Sequence, residues 1–118
     1  MLVVSLVLNI AVLIPVLVLL AANGRVAEGA WGPKTPARGI TAAVYAAILV
    51  ASCGLLALYL TGVAVLAWAQ SLLVVQVIYK TLTVPFVGLR NPVVLSNIPI
   101  AVVHAVTLWV TAAPAGPA

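Results

Sequence analysis

The sequence predicts an all-α integral membrane protein with four transmembrane helices, and three observations predict it. Hydrophobic residues make up 66% of the 118 residues and the mean hydropathy is +1.37, which is more apolar surface than a soluble domain of this length can bury. Charged residues make up only 5%, and they separate apolar runs long enough to cross a bilayer. The five basic residues are scattered beside these runs, a pattern typical of membrane proteins that gives no reason to expect a nucleic-acid partner.

The four spans are predicted at about 2–22, 40–60, 63–80 and 92–112. The first run lacks the positively charged start of a signal peptide, so we expect it to remain as a span. Residues 39–79 carry no charge, and as a single helix they would extend about 60 Å, twice the hydrocarbon thickness. They must therefore cross twice, and the turn-like dipeptide near their centre is Thr61-Gly62.

The charged residues predict the orientation in the membrane. Arg25, Glu28, Lys34 and Arg38 fall in the first linker, and Lys80 and Arg90 in the third. With four spans, both linkers lie on one side of the membrane, and the positive-inside rule places that side in the cytoplasm. Both termini are then non-cytoplasmic. We expect a multi-pass protein of a bacterial inner membrane, surrounded by the lipid bilayer and carrying bound lipids.

The ends of the spans have recognisable signals. Thr35 before Pro36 and Asn91 before Pro92 are typical of a helix N-cap followed by the first helical residue. Segment 81–91, which contains Pro85 and Gly88, is predicted to lie irregularly along the inner interface. Residues 1–112 are therefore predicted to form a single four-helix domain, followed by a flexible Ala/Pro tail at 113–118.

Six polar residues inside the spans are predicted to form an intramembrane polar layer: Asn9, Ser52, Gln70, Gln76, Asn97 and His104. Buried polar groups in a membrane find partners because an unpaired one costs several kcal/mol, of order 2–7. Helix rise places four of them about 15–20 Å from the cytoplasmic ends, with Gln76 and Asn97 shallower. We therefore expect His104 to bond Gln70 first, or else Asn9 or Ser52, and Asn97 to bond Gln76.

His104 has a second interpretation, as an axial ligand of a chlorophyll-type pigment or a haem. The stretch AVVHAVTLW around it loosely resembles the pigment-binding segment of bacterial light-harvesting polypeptides. In that segment an alanine precedes the histidine by four residues and an aromatic residue follows it. Here Ile100 occupies the minus-four position and Ala101 the minus-three position. The resemblance covers about ten residues of a chain with four spans, whereas those polypeptides have one.

Small residues recur at four-residue spacing on two spans. Ala43, Ala47 and Ala51 form one such face, and Ala101 and Ala105 form another. Faces of this kind let helix backbones approach closely in a membrane. They predict either packing within the bundle or contact with a partner chain.

The residue types argue against several function classes. No carboxylate lies in any predicted span, which disfavours ion-coupled transport. An enzyme is not expected, because one cysteine and one histidine provide neither a catalytic triad nor a metal site. The expected function is a small non-catalytic accessory subunit that contacts other integral membrane subunits, with a photosynthetic or respiratory complex as the expected host. The alternative is a homo-oligomeric channel or carrier for a neutral or anionic solute.

Overall fold

The computed structural model describes residues 1–112, and its elements are all helices. They are α1 (Leu2–Ala22), α2 (Arg25–Trp31), α3 (Pro36–Leu60), α4 (Leu66–Val87) and α5 (Pro92–Ala112). The predicted tail at 113–118 lies outside the described residues. Helices α1, α3, α4 and α5 are long and apolar enough to cross a membrane. The prediction of four spans is therefore confirmed at the level of the helices.

The prediction of an irregular segment after residue 80 is wrong. Helix α4 starts at Leu66, a few residues after the predicted start, and continues to Val87. Pro85 lies in its last turn, where the missing N–H costs only one hydrogen bond. The helix ends at Gly88, whose φ of 106° strongly favours glycine. Lys80, predicted at the boundary between the third span and the linker, therefore lies well inside α4.

Both basic linkers lie at the same end of the bundle. The first linker contains the unpredicted short helix α2, and the backbone carbonyl of its Ala30 accepts a hydrogen bond of 2.8 Å from Asn91 in the second basic linker. The predicted caps are present, since Thr35 Oγ1 accepts from the Arg38 backbone N–H (3.4 Å) and Asn91 Oδ1 from that of Val93 (2.8 Å). We call this end of the bundle the linker end.

The opposite end of the bundle contains the turn between α3 and α4 and the first residue of the chain. Helix α3 stops at Thr61, and Gly62 adopts a φ of 88°, so the chain reverses at the predicted dipeptide. The Met1 backbone carbonyl lies 3.3 Å from Thr107 Oγ1 in the last part of α5. The start of α1 and the end of α5 therefore lie together with the α3–α4 turn, and we call this the turn end.

The bundle consists of two helix pairs. Helix α1 packs along α3 and α4 packs along α5, whereas the consecutive helices α3 and α4 contact each other little. One apolar cluster lies near the turn end and includes Leu6 and Leu73, and the other lies near the linker end and includes Leu13 and Ile48. Polar side chains occupy the level between the two clusters. The outer surface is apolar, with Val50, for example, 72% exposed, as expected of a chain that faces lipid.

Candidate functional site

The most distinctive feature of the interior is a set of polar side chains hydrogen-bonded to one another, which we call the polar centre. Its members come from all four long helices and are Ser5, Asn9, Ser52, Gln76, His104 and Thr107. Each is almost completely buried, with at most 2% of its surface exposed. Helix rise places Asn9 and His104 about 10–12 Å from the turn end.

Asn9 of α1 joins the other three helices. Its Nδ2 donates to Gln76 Oε1 (2.8 Å) and Ser52 Oγ (3.1 Å), while its Oδ1 accepts from Gln76 Nε2 (3.0 Å) and contacts His104 Nε2 at 2.8 Å. An amide side chain offers two donors and two acceptor lone pairs. All four are used here, so Asn9 has full hydrogen bonding without any water or ligand.

His104 uses both of its ring nitrogens within the bundle. Because the Asn9 carbonyl oxygen can only accept, His104 Nε2 must carry the hydrogen, and in the neutral ring Nδ1 is then an acceptor. The Ser5 hydroxyl, 3.0 Å from Nδ1, donates to it and in turn accepts from Thr107 Oγ1 at 2.7 Å. The result is one directed series of hydrogen bonds from Thr107 through Ser5 and His104 to Asn9.

The expected pairing of His104 with Gln70 is wrong. Gln70 Nε2 donates instead to Thr111 Oγ1 at 2.9 Å, closer to the turn end. The next expected partner, Asn9, is the one that bonds the imidazole. Depth in the membrane alone does not distinguish Gln70 from Asn9 as the partner of His104. The direction in which each side chain points depends on how the helices are rotated about their axes.

The expected pairing of Asn97 with Gln76 is also wrong, because Gln76 bonds Asn9. Asn97 belongs to a separate group nearer the linker end, where its Oδ1 accepts from Lys80 Nζ (3.1 Å) and its Nδ2 donates to Thr83 Oγ1 (3.3 Å). Lys80 is only 5% exposed. Its burial follows from the continuation of α4 beyond the predicted end, which places the lysine inside the bundle.

Two members of the polar centre were absent from the predicted polar layer, namely Ser5 and Thr107. A sequence signal for both exists in their spacing. Ser5 precedes Asn9 by four residues and Thr107 follows His104 by three, so each lies on the same helix face as a stronger polar residue. Serine and threonine are common in membrane helices, so their presence is a weak signal unless a stronger polar residue lies on the same helix face.

The hydrogen bonds of His104 bear on its possible role as a ligand. Axial ligation of a pigment or haem would require one ring nitrogen to leave Asn9 or Ser5, and that partner would lose a buried bond. A cofactor at His104 therefore stays a prediction, and its binding would cost one of these two buried hydrogen bonds. Within residues 1–112, no cluster of three or more His, Cys, Asp and Glu side chains could hold a metal ion.

The two predicted alanine faces have different surroundings. On α3, Ala43 and Ala47 are exposed on the outside of the bundle and Ala51 is half-buried. On α5, Ala101 is buried and Ala105 is exposed, and both line a groove beside α4. The α3 face therefore points mostly away from the other helices.

A cavity of about 190 Å³ lies between the polar centre and the linker end. Its walls include Lys80, Asn97, Trp31 and Tyr45, together with apolar side chains of α1 and α2. Trp31 Nε1 donates to Tyr45 Oη at 3.2 Å, which joins α2 to α3 at this level. No protein-family model, curated protein or solved structure matches this chain, so a function has to be inferred from the geometry of its own residues.

Proposed function

We propose that this protein is a small non-catalytic accessory subunit of a larger membrane complex, to which it contributes a rigid apolar bundle. The observation that carries the proposal is the complete hydrogen bonding of Asn9 and His104 within the bundle. Their polar atoms are used to hold the four helices together. A catalytic or solute-binding side chain would instead keep an atom free for its substrate.

The arrangement supports an accessory role better than a channel or carrier. The polar centre lies between two apolar clusters, so a solute that crossed a single bundle would have to separate the helices and break the bonds of Asn9. Each such bond is worth roughly 0.6 kcal/mol on average in a membrane protein. Breaking several together would leave buried polar groups unpaired, which costs more than the bonds themselves.

The outer face of α3 is the surface we assign to the partner. Ala43, Ala47 and Gly54 are exposed there and lie within about 40° of one another around the helix. Small side chains on one face allow a second transmembrane helix to approach closely, and the association is then stabilised by van der Waals contact. The neighbouring side chains are apolar, which suits a contact formed inside the bilayer.

Replacement of Ala47 by leucine is expected to weaken the complex without unfolding the bundle. Ala47 is exposed, so a larger side chain does not enter the core of the bundle but holds a partner helix away. The test is extraction in a mild detergent, followed by native mass spectrometry of the protein and everything bound to it. Ala11→Leu, the same change at an exposed position of α1, is the matched control.

The expected result is that the native protein and the Ala11→Leu variant carry the same integral membrane partner, whereas the Ala47→Leu variant loses most of it at an unchanged melting temperature. Equal retention by both variants would contradict the assignment of the α3 face. A native protein that migrates alone would contradict the accessory role itself. A pure homo-oligomer would also contradict it and would favour the channel.

We also propose that the linker end faces the cytoplasm of a bacterial inner membrane, with both termini outside. Three of the five basic residues lie in the linkers at this end and a fourth, Arg38, lies in the first turn of α3, and basic residues are retained on the cytoplasmic side. In a Cys53→Ser background, Thr61→Cys at the turn end should react with an impermeant maleimide added to intact cells. Lys34→Cys should react only after permeabilisation, and the reverse pattern would show the opposite orientation.

A further inference from the structure

The cavity near the linker end has a buried polar floor and a rim that faces lipid. Lys80, Asn97 and Tyr45 are the buried members of its wall that carry polar groups, and Leu13 is buried beside them. Leu19, Val26, Pro92 and Ser96 are exposed and form the rim where α1, α2 and α5 separate. The cavity therefore opens sideways, between helices, toward the lipid that surrounds the bundle.

Lys80 is a buried basic residue that has no carboxylate partner among residues 1–112. Its Nζ donates one hydrogen bond, to Asn97 Oδ1, and lies 5.0 Å from the centre of the Tyr79 ring. An ammonium group has three donors, and a charge held out of water needs an opposite charge or several hydrogen bonds. The one acidic residue of the chain is Glu28, which is exposed on α2 and absent from the wall of this cavity.

We propose that this cavity binds the anionic headgroup of a membrane amphiphile, with Lys80 as the cation that pairs with a phosphate or carboxylate oxygen. Asn97 orients the ammonium group, and Ser96 and Tyr45 line the same cavity. This inference does not depend on the accessory role, because it concerns a site within the single chain.

The apolar part of the cavity argues for a lipid rather than a free anion. Val12, Val16 and Leu19 of α1 line the same cavity as Lys80, so the apolar part of its wall offers a surface for the first carbons of an acyl chain. A volume of about 190 Å³ corresponds to about six water-sized groups, enough for an anionic group and the first carbons of its chain. The rest of the chain would lie against the exposed surface of the bundle.

The test is native mass spectrometry of the full chain released from nanodiscs that contain equal amounts of dioleoyl phosphatidylglycerol and dioleoyl phosphatidylcholine. The measured quantity is the ratio of the two lipids retained. Lys80→Met should lower the preference for the anionic lipid about tenfold, the size expected for one charge-assisted contact. Lys80→Arg should keep most of it. Arg90→Gln, which removes a charge from an exposed position outside the cavity, should leave the ratio unchanged.

A second variant covers the possibility that Lys80→Met fails to fold. Ser96→Trp places a large ring at the exposed rim without altering Lys80, and it should reduce retention of the anionic lipid to a similar extent. Millimolar inorganic phosphate should not displace the lipid. The proposal is overturned by the absence of a preference in the native protein, by an unchanged ratio in Lys80→Met or Ser96→Trp, or by displacement with free phosphate.

Discussion

Replacing Asn9 by leucine is expected to lower the free energy of unfolding by about 2–4 kcal/mol, the largest effect of any single substitution considered for this chain. The change removes four hydrogen bonds and leaves Ser52, Gln76 and His104 with fewer partners. Leucine has the same number of side-chain heavy atoms as asparagine and the same branching at Cγ, so the loss reports mainly on hydrogen bonding. Titration with dodecyl sulfate in mixed micelles, followed by tryptophan fluorescence, measures it.

Gln70→Leu is the control for this prediction. Gln70 has the same amide chemistry and lies in α4, but it is half-buried and, among residues 1–112, its one hydrogen-bond partner is Thr111. Its loss should cost about 1 kcal/mol or less. Equal destabilisation by the two variants would show that Asn9 is not the residue that joins the four helices, and a larger loss at Gln70 would restore it as the main polar contact.

Substitution of His104 by leucine should cost about 1–3 kcal/mol, because it removes two buried hydrogen bonds. Its effect on the free energy of unfolding should also be non-additive with the effect of the Asn9 substitution. The Asn9→Leu and His104→Leu changes remove the same bond, so the double variant should lose less than the sum of the two single losses, by at least roughly 0.6 kcal/mol.

The coupling separates a shared hydrogen bond from two independent packing effects. His104→Gln is the partial control, since its amide can keep one of the two partners and should recover part of the stability. A double variant whose loss equals the sum would contradict the contact between Asn9 and His104. A visible absorption band that disappears with His104→Leu would instead support the role of His104 as a cofactor ligand.

The positions of the helices could be predicted from sequence because bilayer thickness and charge fix them. Residues 39–79 had to cross twice whatever their partners were, and Thr35 and Asn91 mark helix starts by local hydrogen bonding alone. The end of α4 is predicted too early because a charged residue such as Lys80 indicates a membrane boundary. The helix continues to Gly88, where the backbone conformation and not the charge ends it.

The pairing of polar side chains could not be predicted from sequence in the same way. Gln70 and Gln76 differ by six residues on one helix, and only their angle around α4 decides which one meets Asn9. That angle results from the packing of α4 along α5 and from the apolar cluster that α4 shares with α1 near the turn end. The layer predicted from depth therefore contains four of the six residues of the polar centre, omits Ser5 and Thr107, and assigns the wrong first partners to His104 and Asn97.

The central claim is that the polar centre uses both nitrogens of His104 to hold the helices together. Because the chain has a single histidine, nitrogen-15 NMR of histidine-labelled protein in lipid gives one pair of ring signals without any assignment problem. The structure predicts one neutral ring that carries its hydrogen on Nε2 and donates it to Asn9. In the Asn9→Leu variant, the chemical shift of Nε2 should change. A ring with its hydrogen on Nδ1, a metal-bound nitrogen, or a signal indifferent to Asn9→Leu would contradict the claim.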